Sequence, residues 1–323
     1  QYPVGQSWGV PFEKGKVKKD QAFLLKTAND TSTPVQSWPL AFWPDGSVKW
    51  MGFAASNLQG YPVIVQAVPA KSNTTTSLKV TSTTDHTLIT DQQREYRIPH
   101  TGNRFLESIT VDGKKIASDG RLVASLYSGN PHAKPIKQLP VVQLTACIEE
   151  VTTEQSGPVR AVIRISGHYR PNTLVNNKLN NSEKTIGNST SSGLTTLETE
   201  RKLFPFTLRL YIYQGVGSVQ MTHSFVYDGN QEEDFVGSIG VEVDVPFRET
   251  HYNRHIGFTS AEGGIWRESV QPLVTRYPLQ LKQMQNVTQQ QASGNRIPEI
   301  TPIDQPAYTW VQHLPSLDSY KLT

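Results

Sequence analysis

The chain has 323 residues, which is enough for two domains with separate hydrophobic cores. Its 31 basic and 28 acidic residues are mixed along the sequence, and the formal charge of +3 gives no reason to expect nucleic acid as a partner. No run of about 18 apolar residues occurs, so we expect no membrane insertion. The single cysteine, Cys147, excludes an internal disulfide framework and a cysteine-based zinc site.

The apolar residues recur in short runs that are rich in Val, Ile, Thr and aromatic residues and are bounded by Gly, Pro, Asn or Asp. This pattern predicts an all-β protein built from barrels or sandwiches. Residues 1–88 are predicted to form a small N-terminal β-barrel domain, with strands at 23–26, 40–43, 48–54 and 61–67.

A tight turn is predicted at Pro44-Asp45-Gly46, between two of these strands. Proline presets one backbone dihedral angle and glycine accepts a positive φ, as such turns require. Trp38, Trp43 and Trp50 flank the turn. We expect these tryptophans to fill the barrel core, and stacking on sugar rings is the alternative.

Residues 89–323 are predicted to form a large antiparallel β-sandwich, or supersandwich. Its clearest hairpin joins 106–111 to 114–117 through the Asp112-Gly113 turn. The polar segment 172–200 is expected to be either a binding loop or disordered. No closing element is evident after Leu314, and two interpretations stay open: the sandwich ends there, or the domain is truncated and the chain is part of a larger protein.

The segment 37–50, with its tryptophans around the Pro44-Asp45-Gly46 turn, is unusual, and five further segments between 204 and 273 follow it. Their wording and order resemble one family of secreted polysaccharide lyases. The chain resembles the N-terminal small barrel and central β-sandwich of the exo-rhamnogalacturonan lyases. The resemblance implies secretion, to the extracellular space or the periplasm, with a signal peptide removed. It also implies a C-terminal helical toroid, which we expect to be absent from this chain and to be its missing partner domain. The matching segments are 37–50, 204–211, 223–229, 234–240, 252–258 and 263–273.

The resemblance further implies that the parent protein cleaves an acidic polysaccharide containing rhamnose and uronate, such as rhamnogalacturonan, by β-elimination. Elimination needs a group that neutralises the uronate carboxylate, a base that removes the C5 proton, and an acid for the leaving oxygen. Without a toroid, the chain is expected to hold only part of the active site. The alternatives are a non-catalytic carbohydrate-binding or structural module and a β-sandwich glycoside hydrolase.

The segment Tyr252-Asn253-Arg254-His255 supplies a base, an amide, a cation and an imidazole, so these four residues are the predicted catalytic group. On a strand, Tyr252 and Arg254 share one side while Asn253 and His255 share the other, and the sequence does not choose between the pairs. The structural alternative is that Arg254 pairs with an acidic neighbour and Tyr252 packs.

Five further residues are predicted to bind substrate. Trp266 and Arg267 lie beside a Gly-Gly turn, with polar residues at hand, and His251 directly precedes the catalytic group. Trp310 and His313, near the chain end, are predicted to contact either a sugar or the missing domain.

An acidic cluster at Asp228, Glu232, Glu233 and Asp234 makes calcium a possible cofactor, although a solvated loop is favoured because the spacing matches no EF-hand. No cofactor is otherwise predicted. His223 shares an apolar strand face with Val219, Met221 and Phe225, and is therefore predicted to be a hydrogen-bonded core histidine.

Overall fold

The structure is a computed structural model, and it describes residues 5–27, 32–33, 35–56, 58, 63–68, 77–132, 139–172, 201–248, 255–259, 265–269 and 319–322. Every regular element within these ranges is a β-strand, which confirms the predicted all-β class. In the described ranges, no helix is long and apolar enough to cross a membrane.

The N-terminal unit consists of two small antiparallel sheets. One has the strand order β1-β5-β4 and the other has the order β3-β2-β6. Phe23 and Phe53 meet edge to face between the sheets, with ring centroids 5.0 Å apart, and Val17, Val48 and Met51 complete the buried cluster. The strands are β1 (Gly5–Pro11), β2 (Ala22–Thr27), β3 (Ser32–Thr33), β4 (Gln36–Phe42), β5 (Val48–Ser56) and β6 (Val63–Val68).

The turn between β4 and β5 forms at the predicted residues. Gly46 adopts φ 82° and donates its N–H to the Trp43 carbonyl over 2.9 Å. Asp45 Oδ1 accepts hydrogen bonds from both Ser47 Oγ (2.6 Å) and Ser47 N (3.0 Å). These Ser47 hydrogen bonds lower the pKa of Asp45.

The prediction that the three tryptophans fill the barrel core is wrong. Trp43 is half-buried and donates Nε1–H to the Phe12 carbonyl, while Trp50 is 40% exposed. Trp38 packs against the second domain instead. The small barrel encloses too few positions for three indoles beside Phe23 and Phe53, which already occupy the space between the sheets.

The second unit is one large antiparallel sheet that folds back on itself. It runs β15-β14-β13-β12-β11-β10-β9-β8-β7, and β16 branches from β11 and carries β19. Its strands are β7 (Lys79–Ser82), β8 (His86–Asp91), β9 (Arg94–Pro99), β10 (Leu106–Val111), β11 (Lys114–Ser128), β12 (Val141–Ser156), β13 (Arg160–Pro171), β14 (Leu203–Tyr213), β15 (Val219–Phe225), β16 (Asp234–Pro246) and β19 (Ser319–Leu322).

Strand β11 belongs to both layers of this sandwich. Its first half pairs with β10, and its second half pairs with β12 and β16. Between the halves, Asp119 adopts φ 52° and the register with β16 shifts. Ile89 and Ile98 share one buried cluster with Ile163 and Leu208, although their strands lie far apart along the sheet. The two halves of the sheet therefore pack face to face.

The predicted domain boundary after residue 88 stays a prediction. In the described structure, β7 at Lys79–Ser82 already pairs with β8 of the large sheet.

A buried polar contact joins the barrel to the sandwich. The Gln36 side-chain oxygen accepts hydrogen bonds from the backbone N–H groups of Val159 (3.2 Å) and Arg160 (2.8 Å). The Arg160 guanidinium lies 4.3 Å from the Trp38 ring centroid and donates to Gln155 Oε1 from two nitrogens, at 2.7 and 3.0 Å. One side chain of the sandwich thus anchors an aromatic residue of the barrel.

Candidate functional site

The residues predicted to be catalytic lie mostly outside the described part of the chain. This holds for Tyr252, Asn253, Arg254 and His251, and for Trp310 and His313 near the end. Their roles stay predictions.

His255, Trp266 and Arg267 lie on a two-stranded hairpin formed by β17 (His255–Thr259) and β18 (Ile265–Ser269). His255 pairs with Ser269, and Gly257 pairs with Arg267. Residues directly opposite one another in a ladder share a face, and so does every second residue along each strand. The register therefore places His255 and Arg267 at positions of one face. Trp266 occupies a register position of the other face.

The sandwich has one end that carries its long connections. The strands β11, β13 and β15 finish at this end, and β12, β14 and β16 start there. We call it the loop end, and its connections are 129–140, 172–202 and 226–233. Binding residues concentrate where loops extend from a rigid sheet. The opposite end includes Val159 and Arg160, which contact the barrel.

Four charged or titratable side chains meet near the loop end, on the outer face of the sheet. We call Glu149, His168, Arg170 and Lys202 the His168 cluster. Glu149 Oε1 lies 2.7 Å from Lys202 Nζ and 2.9 Å from His168 Nδ1. Arg170 Nε donates to His168 Nε2 over 2.7 Å. The imidazole is buried, with 3% of its residue surface exposed, while Glu149 and Lys202 reach solvent.

Irregularities in both neighbouring strands position the imidazole. The register between β12 and β13 shifts at Glu149, and the register between β13 and β14 shifts beside Phe204, which adopts φ 48°. β-Bulges re-aim side chains and are frequent beside functional sites. Gly167 allows the close approach of β12, since a Cβ atom there would lie 2.0 Å from the Cys147 carbonyl oxygen.

The contacts of His168 determine which ring nitrogen carries the proton. A guanidinium only donates hydrogen bonds, so Nε2 holds a lone pair and the proton of the neutral ring lies on Nδ1, toward Glu149. Nδ1 makes no hydrogen bond of good angle with the described residues, so its approach to Glu149 is an electrostatic contact. Burial lowers the pKa of His168, and Arg170 and Lys202 act in the same direction against the opposing effect of Glu149. The lowered pKa and the hydrogen bond from Arg170 both favour the neutral ring.

The cluster presents positive charge in a fixed orientation. The hydrogen bond to His168 uses Arg170 Nε, and the other guanidinium nitrogens of Arg170 have no partner in the described ranges. The hydrogen bond and charge of Lys202 lower the pKa of Glu149, which keeps this carboxylate ionised. Because its Nε2 lone pair is engaged, His168 orients Arg170 and does not serve as a free base. The arrangement suits the binding of a carboxylate at Arg170.

On the opposite face of β13, Tyr169 packs in an aromatic cluster. Its hydroxyl lies 3.3 Å from His223 Nε2, and Phe206 meets its ring edge to face at 5.4 Å. Burial lowers the pKa of His223. These contacts confirm that His223 packs and lies within hydrogen-bond distance of a partner, but its strand face is not core. Met221 and Phe225 on that face are exposed, because β15 lies at the edge of the sheet in the described ranges.

The acidic loop is organised by hydrogen bonds. Asp234 pairs with Arg201, and Asp228 Oδ1 accepts the backbone N–H of Phe204 over 2.7 Å. Within the described ranges, no three acidic, His or Cys side chains converge to hold a metal. Arg201 pairs with Asp234, and calcium as a cofactor of this loop stays a prediction.

The two domains match known families along nearly the whole chain. The PcRGLX-like N-terminal RIFT barrel domain matches residues 1–75, and the PcRGLX-like protein central beta sandwich domain matches residues 78–323. The chain belongs to the PcRGLX-like family. This confirms the resemblance to rhamnogalacturonan lyases and the barrel-plus-sandwich architecture. PcRGLX-like domains indicate a carbohydrate-active β-sandwich protein.

One relative in this family is the uncharacterized protein YetA of Bacillus subtilis (strain 168), which is 31% identical over 290 residues. The match covers 87% of this chain and 30% of YetA, so the chain spans about a third of the relative's length.

Two solved structures from Enterococcus faecalis align at 13% identity. One is a protein in the Glycosyl Hydrolase Family 38, with a TM-score of 0.42, and the alignment covers 84% of this chain and 34% of that chain. The other is an alpha-mannosidase of strain V583, with a TM-score of 0.40, and the alignment covers 83% of this chain and 32% of that chain. Similarity at this level does not bear on function.

Reasoning from the PcRGLX-like sequence missed the His168 cluster. The available signal was Gly167-His168-Tyr169-Arg170, in which a histidine and an arginine two residues apart share a strand face just before the polar segment 172–200. Their partners Glu149 and Lys202 are distant in sequence, and only the strand register brings them to His168.

Proposed function

We propose that this protein is part of a secreted polysaccharide lyase that cleaves a rhamnose- and uronate-containing polysaccharide by β-elimination. The observation that carries the proposal is the match of both PcRGLX-like domains, in order, over residues 1–75 and 78–323. The proposed compartment is extracellular or periplasmic, and the proposed partner is a C-terminal helical domain that completes the active site.

The residues support this chemistry in two places. On the hairpin, His255 and Arg267 occupy register positions of one face. Tyr252, Asn253 and Arg254 directly precede His255 in sequence and remain the proposed base, amide and carboxylate ligand. At the loop end, Arg170 donates to His168 through Nε, and its other guanidinium nitrogens have no partner among the residues that the structure describes.

The roles follow from how charge develops during elimination. Removal of the C5 proton places negative charge on the uronate carboxylate and its neighbouring carbon, and a guanidinium at that point stabilises the enolate-like transition state. Arg254, Arg267 and Arg170 are the proposed guanidinium donors. The base is Tyr252 or His255, either of which accepts a proton once its pKa suits the working pH.

A non-catalytic carbohydrate-binding module is the second candidate, because the described part of the chain does not show a complete set of base, acid and carboxylate ligand around one point. A glycoside hydrolase is the third, since paired carboxylates can also act on a glycosidic bond.

Ultraviolet absorbance during digestion of rhamnogalacturonan I separates these functions, because elimination leaves a conjugated double bond and hydrolysis does not. The digest is run with this chain and, in parallel, with full-length YetA. Absorbance rising with either protein supports a lyase, and new reducing ends without absorbance support a hydrolase. Binding without any product from both proteins supports the module.

Arg170 is tested by Arg170→Gln, with Arg209→Gln as the matched control. Arg209 lies on the same sheet face and is paired with Glu154 through two contacts of 2.9 and 3.0 Å, so it is not available to a ligand. If Arg170 binds the uronate carboxylate, Arg170→Gln raises KM. The variant is made in this chain or, if only YetA is active, at the position of YetA that aligns with Arg170. Equal KM for both variants would remove Arg170 from the site.

A further inference from the structure

The barrel carries an exposed apolar surface at the β4–β5 hairpin. This surface is distant in sequence from the β17–β18 hairpin and from the His168 cluster. Leu40, Phe42 and Trp50 are 56%, 50% and 40% exposed. Ala41 pairs with Trp50 but Phe42 pairs with Val48, so Lys49 is an extra residue in a β-bulge. The bulge leaves both Lys49 and Trp50 on the solvent side.

A glycine lies beneath the exposed indole. A Cβ atom at Gly9 would lie 3.5 Å from Trp50 Cε3 and 3.7 Å from Leu40 Cδ1, which shows that both side chains lie over Gly9. The indole therefore rests on a flat strand surface, supported from below and open above. Flat, supported aromatic rings offer a large apolar contact area at little entropic cost.

Four lysines lie in the connection next to this hairpin. Lys14, Lys16, Lys18 and Lys19 lie in the exposed connection between β1 and β2. This connection is fixed against the β4–β5 hairpin by the Gly15 N–H, which donates to Ser47 Oγ over 2.9 Å, and by the Val48 N–H, which donates to the Val17 carbonyl over 2.8 Å. The backbone that carries these lysines is therefore held next to the hairpin that carries the exposed aromatic residues.

The positive charges here are available to a ligand. Lys49 Nζ lies 4.7 Å from the Trp43 ring centroid, and within the described ranges neither it nor the four lysines lies within ion-pair distance of a carboxylate. The nearby carboxylate of Asp45 is engaged by Ser47 through two hydrogen bonds. Exposed apolar area next to unpaired cations is complementary to a ligand that is both flat and anionic.

We propose that this surface is a second, non-catalytic binding site for a uronate-containing polysaccharide. We call it the barrel platform, and it consists of Leu40, Phe42, Lys49, Trp50 and the lysines at 14, 16, 18 and 19. A pyranose ring stacks on Trp50, and carboxylates of neighbouring sugars pair with the lysines. The inference rests on the proposed function only in taking an acidic polysaccharide as the ligand.

The test measures binding of polygalacturonate by affinity electrophoresis at two salt concentrations, against the same polymer with its carboxyl groups methyl-esterified. Esterification keeps the sugar rings and removes the charge, so it is expected to weaken binding and abolish the salt dependence. Trp50→Ala is expected to weaken binding about three- to tenfold. Lys16→Glu with Lys18→Glu is expected to weaken it further, since like charges then face the polymer.

The matched control is Lys114→Glu with Lys115→Glu, which makes the same charge change at an exposed turn of the sandwich. Binding that falls equally in the control reflects net charge alone and overturns the site. Unchanged binding by the Trp50 variant also overturns it, as does equal binding of the esterified polymer. Urea midpoints equal to that of the parent chain show that the variants are folded.

This test and the lyase test fail separately. Platform binding without ultraviolet absorbance in any digest would refute the lyase and leave the platform. Absorbance with no effect of the Trp50 and lysine variants on polymer binding would refute the platform and leave the lyase.

Discussion

Replacing Arg160 with alanine should loosen the contact between barrel and sandwich. This guanidinium is 5% exposed, lies 4.3 Å from the Trp38 ring centroid and donates twice to Gln155 Oε1. A desolvated cation–π contact contributes about 2 kcal/mol, and a hydrogen bond from a charged donor contributes about 1.5 to 3 kcal/mol. Relief of the desolvation cost of the buried charge offsets part of this, so we expect a loss of about 3 kcal/mol in the free energy of unfolding.

Urea unfolding followed by tryptophan fluorescence measures this loss, because the guanidinium contacts Trp38 directly. Arg164→Ala is the matched control, because it also removes an arginine side chain from β13. The partners of Arg164 are Glu150, which is exposed, and Glu154, which is half-exposed. Exposed ion pairs contribute about 0.2 to 1 kcal/mol. Arg160→Lys should fall between the two, since it keeps the charge and loses the planar fork. Equal losses for Arg160→Ala and Arg164→Ala would refute this explanation of the contact.

Three further predictions concern the sandwich and the hairpin. Burial lowers the pKa of His168 below its value in the unfolded chain, so the unfolded state binds the proton first and stability falls as the pH drops below about 6.5. His168→Gln should therefore lose less stability than the parent chain between about pH 7.5 and 5.5. Equal shifts of the urea midpoint in the two proteins would contradict this. Gly167→Ala should destabilise by more than about 3 kcal/mol, because its Cβ would clash with the backbone of the neighbouring strand. Gly217→Ala should cost less than about 1 kcal/mol, because its Cβ would lie at ordinary contact distance, 3.8 Å, from the Arg94 guanidinium; similar losses in thermal unfolding would contradict this. If the hairpin face with Arg267 contacts substrate, Arg267→Ala should reduce lyase kcat/KM at least about tenfold. Glu268→Gln, at a position of the other face, should leave kcat/KM unchanged. Similar kcat/KM values for the two variants would show that Arg267 takes no part in the reaction.

Much of the fold could be predicted because its signals are local. Alternating apolar residues mark strands such as β8 and β14, and turn residues mark their connections. The Asp112-Gly113 turn has φ values of 51° and 72°, the positive angles that this dipeptide favours. The turn at Asp45 and Gly46 is also local, because Gly46 supplies a φ of 82° and Asp45 Oδ1 accepts hydrogen bonds from Ser47.

The features that could not be predicted depend on distant residues. The division of β11 between two layers follows from its pairing with β10, β12 and β16, and no local pattern fixes it. Trp50 looks like a core residue in the sequence, but the bulge at Lys49 leaves it exposed. His168 acquires its environment from bulges in both neighbouring strands, and bulges leave little trace in the hydrophobic pattern.

The central claim is that the active protein cleaves uronate polysaccharide by elimination. Mass spectrometry of rhamnogalacturonan I digests made in isotope-labelled water tests this directly, because hydrolysis incorporates an oxygen from water into the product and elimination does not. The account predicts unsaturated oligosaccharides without label from full-length YetA, and from this chain if its own residues suffice. Labelled, saturated products would contradict it.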